Sequence, residues 1–170
     1  EYLEDIANLV LCDSPQAESI QMAWQRMLDM VGASRLEIFE NGPSSELGMV
    51  QASHVESYSA QDQERGSIQS ISPDPQLKPL VYAHGFREWE RQLEFGQSVI
   101  CQSSKFTRHE RSWFSLLGMQ SALLIPIHRN GSWSGFACWG DTRKMRKWTP
   151  ASIRLLRIGV SMIEAGFARL

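Results

Sequence analysis

The sequence predicts an α+β fold, in which antiparallel hairpins alternate with blocks of helix and terminal helices enclose the whole. Three observations predict it. Ile153, Leu156, Val160, Ile163, Phe167 and Leu170 step by 3, 4, 3, 4 and 3, a sustained helical seam. Two nearly continuous apolar runs, 120–128 and 133–139, flank Arg129-Asn130-Gly131-Ser132, which reads as a hairpin turn. The 170 residues are 42% hydrophobic and 21% charged, enough for one core without covalent staples.

Taken in order, Leu3, Ile6 and Val10 mark a first helix over 2–11. Cys12-Asp13-Ser14-Pro15 then breaks and restarts the chain, with Asp13 or Ser14 as cap, Pro15 in the first turn and Glu18 as capping partner. Ile20, Trp24, Met27 and Val31 stripe a second helix over 15–31, stopped by Gly32. Strands at 34–40 and 46–58 flank the turn Asn41-Gly42-Pro43-Ser44. Residues 59–79, with Pro73, Pro75 and Pro79, read as a long loop of the kind that serves as a lid. Phe86, Trp89 and Leu93 fit a short helix ending at Gly96, and 98–101 a short strand. Thr107 with Glu110 is a capping pair that opens a helix to 117, closed by Gly118. The near-continuous apolar character of 120–128 and 133–139 implies a sheet covered on both faces. Alternation puts Trp133, Gly135, Ala137 and Trp139 on one face of the second run and Ser134, Phe136 and Cys138 on the other. Which face meets a cavity stays open. Thr149-Pro150 opens the final helix, 150–170, whose seam packs on the sheet or serves a partner helix, while Leu155 and Ile158 lie off the seam and form a second apolar surface that could meet another subunit.

Composition excludes several classes. With 17 Lys+Arg against 19 Asp+Glu, the formal charge of −2 gives no field that recruits nucleic acid or an anionic membrane. The basic run Arg143-Lys144-Met145-Arg146-Lys147 reads as a solvated loop. No apolar run approaches the roughly 20 residues of a membrane-spanning helix, and no secretory leader stands at the N-terminus. Starting at Glu1, the chain reads as a piece excised from something longer. Cys12, Cys101 and Cys138 are far apart and lack paired spacing, which points to reduced thiols in a cytoplasm rather than to disulfides or zinc. No two of His54, His84, His109 and His128 have the i, i+4 spacing of a helical metal site, and no phosphate loop, nucleophile elbow or paired-carboxylate motif is visible.

Gly118-Met119-Gln120-Ser121-Ala122-Leu123-Leu124-Ile125-Pro126-Ile127 resembles the GAF domain family. So do Asn130-Gly131-Ser132-Trp133-Ser134-Gly135-Phe136, Arg146-Lys147-Trp148-Thr149-Pro150, and the segment from Arg87-Glu88-Trp89 to Gly96. The version it is most similar to occurs in bacterial sensor histidine kinases and cyclic-dinucleotide signalling proteins. The resemblance implies a central antiparallel sheet with the N- and C-terminal helices on one face. Loops and short helices would roof a ligand cavity on the other, and the terminal helices would form a parallel dimer. Trp89, Phe95, Phe106, Trp113 and Phe114 would line that cavity or fill the space as core, and Cys101 and His109 are further cavity candidates, His109 being otherwise a solvated loop residue.

Family chemistries are only partly echoed. Some GAF modules attach a bilin through cysteine, but Gln102, not histidine, follows Cys101. The cysteines do not reproduce the cluster of methionine sulfoxide reductases of this fold. Ser104-Lys105-Phe106 with Glu110 echoes a cyclic-nucleotide signature without its Asn and Asp.

The expectation is a single domain over 1–170, with N-terminal helices over 1–31 and a linker or dimer helix over 150–170. It is a cytoplasmic sensory or regulatory module without catalysis of its own, and it names no cofactor and no metal. It binds a small molecule or partner and relays its state through terminal helices that dimerise along Ile153, Leu156, Val160, Ile163 and Phe167. It contacts neither nucleic acid nor membrane. The alternative is a dimerisation or scaffolding module with a filled cavity.

Overall fold

A computed structural model describes residues 1–60 and 77–170. Most of the loop expected at 59–79 therefore lies outside the described residues. The sheet is antiparallel, six-stranded and ordered β3-β2-β1-β6-β5-β4. Its strands are β1 (Arg35–Pro43), β2 (Val50–Ser59), β3 (Leu80–Val81), β4 (Val99–Gln102), β5 (Ser121–Arg129) and β6 (Ser132–Asp141). The helices are α1 (Tyr2–Val10), α2 (Ala17–Val31), α3 (Arg87–Glu94), α4 (Arg108–Leu117) and α5 (Pro150–Phe167). Among the described residues no helix is long and apolar enough to cross a membrane.

The pleat divides the core in two. Leu36, Ile38, Leu123, Ile125, Ala137 and Trp139 face α1, α2 and α5, where Trp24 meets Trp139 at 6.3 Å between centroids. Phe39, Ala122, Leu124, Phe136 and Cys138 face the other way, against α3 and α4. This settles the orientation of β6: Phe136 and Cys138 look toward the roof.

Two register shifts modify that alternation. In β2, Ile38 pairs with Glu56 and Phe39 with His54, so Val55 is the extra residue. In β6, Ile127 pairs with Gly135 and His128 with Trp133, so Ser134 is extra. A one-residue insertion turns the following side chain to the opposite face. Trp133 therefore packs on the roof cluster rather than sharing a face with Trp139, a correction to the strict alternation. The β5–β6 turn is the two-residue kind that needs positive φ at both positions, supplied by Asn130 (54°) and Gly131 (77°). Pro126 lies beyond Leu124, the last β5 residue that pairs with β4, so it sits where β5 is an edge.

The first hairpin turn falls later than expected. Asn41, Gly42 and Pro43 extend β1 against Ala52, Gln51 and Val50, and the chain turns between Ser44 and Met49. Helix α2 also starts later, at Ala17, with Gln16 in extended backbone geometry as N-cap and no side-chain cap bond, so neither Asp13 nor Ser14 caps it. The Thr107–Glu110 capping box forms as expected, and Thr149 Oγ1 accepts from the Ser152 N–H at 3.1 Å to start α5.

The seam of α5 points inward. Leu156, Val160 and Ile163 are buried in the chain's own core, and Ile153 and Phe167 pack against it half-buried. The sheet and the helices α1 and α2 therefore cover Leu156, Val160 and Ile163, whereas Ile153 and Phe167 keep part of their surface open to a partner helix. The large apolar side chains of α5 left exposed are Leu155 and Ile158, at 39% and 40%. The C-terminal turns of α1 and α5 lie together, where Arg169 Nη1 donates to the Leu11 carbonyl at 2.8 Å and the Cys12 carbonyl at 3.2 Å.

The stretch between β6 and α5 is held by a polar knot. Asp141, fully buried, accepts from the Ser34 hydroxyl at 3.0 Å and from the Arg143 and Lys144 N–H groups at 2.9 and 3.3 Å. Arg146 Nε sits 3.4 Å from Asp141 Oδ2, while its other nitrogens donate to the Val31 and Gly32 carbonyls at the end of α2, both at 2.8 Å. Its guanidinium also lies 5.3 Å from the Trp148 ring. The Arg-x-Trp motif thus ties the C-terminus of α2 to the start of α5. Burial pushes the Asp141 carboxyl up, but the Arg143 N–H, the Ser34 hydroxyl, the Lys144 N–H and the Arg146 charge outweigh it and hold the group below its ordinary value. A lowered folded-state value means that the ionised form stabilises the fold. That contribution is complete above the ordinary aspartate value near 3.9 and is lost as pH falls through the lowered one. Asp141→Asn is expected to cost about 1.5–3 kcal/mol at pH 7 and to flatten the acid limb of stability, measured by urea unfolding between neutral and acid pH. An unchanged acid limb would show that Asp141 plays no such part.

Candidate functional site

Beneath α3 and α4 the sheet carries a layer of rings. Phe39 and Phe136 stack at 4.7 Å on adjacent strands. Above them Trp89 lies 6.2 Å from Phe136, 5.4 Å from Trp113 and 4.8 Å from Phe86. Trp113 reaches Phe39 at 5.4 Å, and Phe106 stacks on Phe114 at 4.7 Å. Amphipathic spacing explains the arrangement: Trp89 and Leu93 are one turn apart on α3, and Trp113, Phe114 and Leu117 form the buried stripe of α4.

Polar groups sit inside this layer. Glu110 joins three elements. Its Oε1 accepts from the Thr107 N–H at 2.9 Å, and its Oε2 accepts from the Trp89 indole at 2.8 Å and lies 4.0 Å from Cys101 Sγ on β4. The partial nucleotide-like signature is thereby explained as a helix cap and a roof tie. Glu37, fully buried, has Oε2 2.7 Å from His54 Nε2 and Oε1 2.7 Å from Arg35 Nη2. A buried carboxylate is tolerated only with such partners. The Trp113 indole N–H is buried with no hydrogen-bond partner among the described residues. Burial, then the Glu110 carboxylate, pushes the Cys101 thiol well above its ordinary range. Burial likewise raises Cys138. Neither thiol is an activated nucleophile. Among the described residues no group of three His, Cys, Asp or Glu side chains is arranged to hold a metal ion.

Four expected cavity residues meet in this layer: Trp89, Cys101 and Trp113 buried, and Phe106 half-buried at its margin. Two do not. Phe95 follows the last residue of α3 and is 77% exposed, since it falls off the Trp89–Leu93 stripe. His109 is exposed on the first turn of α4, and its ring lies against Gly85, where an added Cβ would come within 2.3 Å. Phe39, Glu37, His54 and Phe136 were missed. The signal for Glu37 and Phe39 was present: they alternate with Leu36 and Ile38, so two faces of one strand were both filled.

None of the known protein-family models matches the sequence, and no curated protein matches it. Solved structures do. The phycocyanobilin-bound GAF domain of a cyanobacterial phytochrome superposes with a TM-score of 0.71 at 11% identity, covering 99% of this chain and 92% of that one. The phycoerythrobilin-bound GAF domain of a cyanobacterial phytochrome gives 0.68 at 13% identity, covering 99% and 93%. A far-red-absorbing dark state with bound biliverdin gives 0.64 at 14% identity, covering 99% of both chains. The chain has the GAF fold.

Proposed function

We propose that this chain is a sensory or regulatory module of a larger cytoplasmic signalling protein, with a histidine kinase or cyclic-dinucleotide enzyme as its output. A small molecule or partner acts on the aromatic layer and shifts the population of roof arrangements. The terminal helices relay that shift. The observation that carries the reading is the Trp113 indole N–H, a buried donor without a described partner, set among stacked rings beside the Glu37–His54 pair. A flat ligand with a hydrogen-bond acceptor would complete that arrangement. The bilins in the solved structures of this fold support a small-molecule role of this kind. With the α5 seam turned inward, the outer side of the terminal helices, including Tyr2, Leu11, Leu155 and Ile158, is the surface for a homodimer.

A second reading, a dimerisation module with a filled cavity, is favoured by the direct ring contacts, such as Trp113 to Phe114 at 5.0 Å. Native mass spectrometry of freshly purified protein separates the two. A retained molecule of a few hundred daltons is expected from the sensory reading. A bare dimer supports the second, and a bare monomer at high concentration overturns both. Incubation with phycocyanobilin is expected to leave Cys101 unmodified, because its buried thiol stays protonated. A zinc-fluorescent adduct lost in Cys101→Ser would refute that expectation.

A further inference from the structure

A cleft of about 520 Å³ opens beside the aromatic layer, between α3 and the β5–β6 turn. Asn41, Glu90, Glu94, His128 and Trp133 are among its lining residues. The β6 register shift brings Trp133 here, and its indole N–H is committed to the Gly135 carbonyl at 2.7 Å, which fixes the ring. The ring lies 5.2 Å from Tyr82, whose hydroxyl donates to Asn41 Oδ1 at 2.7 Å. That bond orients the Asn41 amide and leaves Nδ2 buried without a partner among the described residues. Glu90 and Glu94 stand one turn apart on the same face of α3. Glu90 Oε1 meets Arg87 at 3.0 Å, and among the described residues Glu94 has no cation. His128 turns its Nδ1 toward Glu164, at 3.6 Å, outside the lining set.

The cleft thus joins two carboxylates of like charge, a fixed indole and one unmet amide donor. An inorganic cation suits it poorly: two carboxylates and a ring do not make the oxygen cage that a hard divalent ion requires. A planar organic cation suits it well, because one face can lie on the indole while its N–H groups fork onto carboxylate. We propose that this cleft binds a small ligand bearing an amidinium or guanidinium group, with Trp133 as stacking wall, Glu90 and Glu94 as counter-charge, and Asn41 Nδ2 donating to an acceptor on the ligand. The site borders the aromatic layer through Trp133 and goes beyond the sensory reading.

Benzamidine is the probe and benzoate its anionic control, read by the indole N–H signals of ¹⁵N-labelled protein, with Trp133→Phe assigning the relevant peak. Benzamidine is expected to move the Trp133 signal with millimolar affinity, and benzoate to leave it in place. Glu94→Gln, at an exposed position, is expected to weaken binding at least roughly fivefold, and added salt should weaken it further. Equal shifts by the two probes, no shift at tens of millimolar benzamidine, or undiminished affinity in Glu94→Gln would each overturn the proposal. The readings are taken at Trp133 and Glu94, at the margin of the aromatic layer, and none of them requires a ligand among the rings of Trp89, Trp113 and Phe136.

Discussion

Gly135→Ala is expected to prevent folding or to cost more than about 4 kcal/mol, an exceptional loss for one methyl group. The backbone there has φ of 155°, and an added Cβ would sit 2.0 Å from the Phe39 carbonyl oxygen and 3.1 Å from the Glu40 Cα. These are main-chain atoms of β1, paired to β6 along the middle of the sheet, so no side chain can swing aside. Relief requires β1 and β6 to part, which also breaks the Phe39–Phe136 stack beneath the roof. Gly42→Ala is the matched control. It lies in the same sheet with open space around its position and should change stability by less than about 1 kcal/mol. Urea unfolding of the pair decides the matter. A Gly135→Ala midpoint close to that of the parent would show that the strands are not so closely apposed.

The second large effect concerns the roof. Trp89→Ala should cost about 3–5 kcal/mol, because it removes a buried ring that touches Phe86, Trp113, Phe114 and Phe136. It also leaves Glu110 Oε2 without its indole donor. Trp89→Phe separates the two contributions, since it keeps most of the packing and loses only the hydrogen bond, at about 1–2 kcal/mol. Free indole should enter the vacated space of Trp89→Ala and raise its melting temperature in a concentration-dependent way, as a ligand of the folded state does. The absence of any indole effect, together with a loss under about 1 kcal/mol, would mean that Trp89 is not a structural member of the layer.

Legibility in the sequence followed how local each signal is. The capping box at Thr107 and Glu110, the Asn130-Gly131 turn and the apolar runs of β5 and β6 depend on neighbours in the chain, and each forms as expected. Signals that depend on partners far away were read less well. Asn41-Gly42-Pro43 carries turn chemistry, yet pairing with β2 draws it into a strand. The α5 heptad spacing is as good for a partner helix as for a sheet, and only the placement of Leu36, Ile38 and Ala137 decides in favour of the sheet. In the candidate site, Trp89 and Trp113 were found because helical stripes identify them. Glu37 and His54 were not, because a charged residue in a strand looks solvated until the covering layer is known. Trp133 was turned to the wrong face because one inserted residue, Ser134, inverts the parity of everything beyond it.

The meeting of the α1 and α5 tips has a mechanical consequence. Arg169 grips the carbonyls of Leu11 and Cys12, which joins the end of α5 to the corner between α1 and α2 without passing through the strands. At the other end of α2, Arg146 clasps the Gly32 carbonyl. The two arginines therefore pin α2 at both ends, Arg169 at the α1–α2 corner and Arg146 at Gly32.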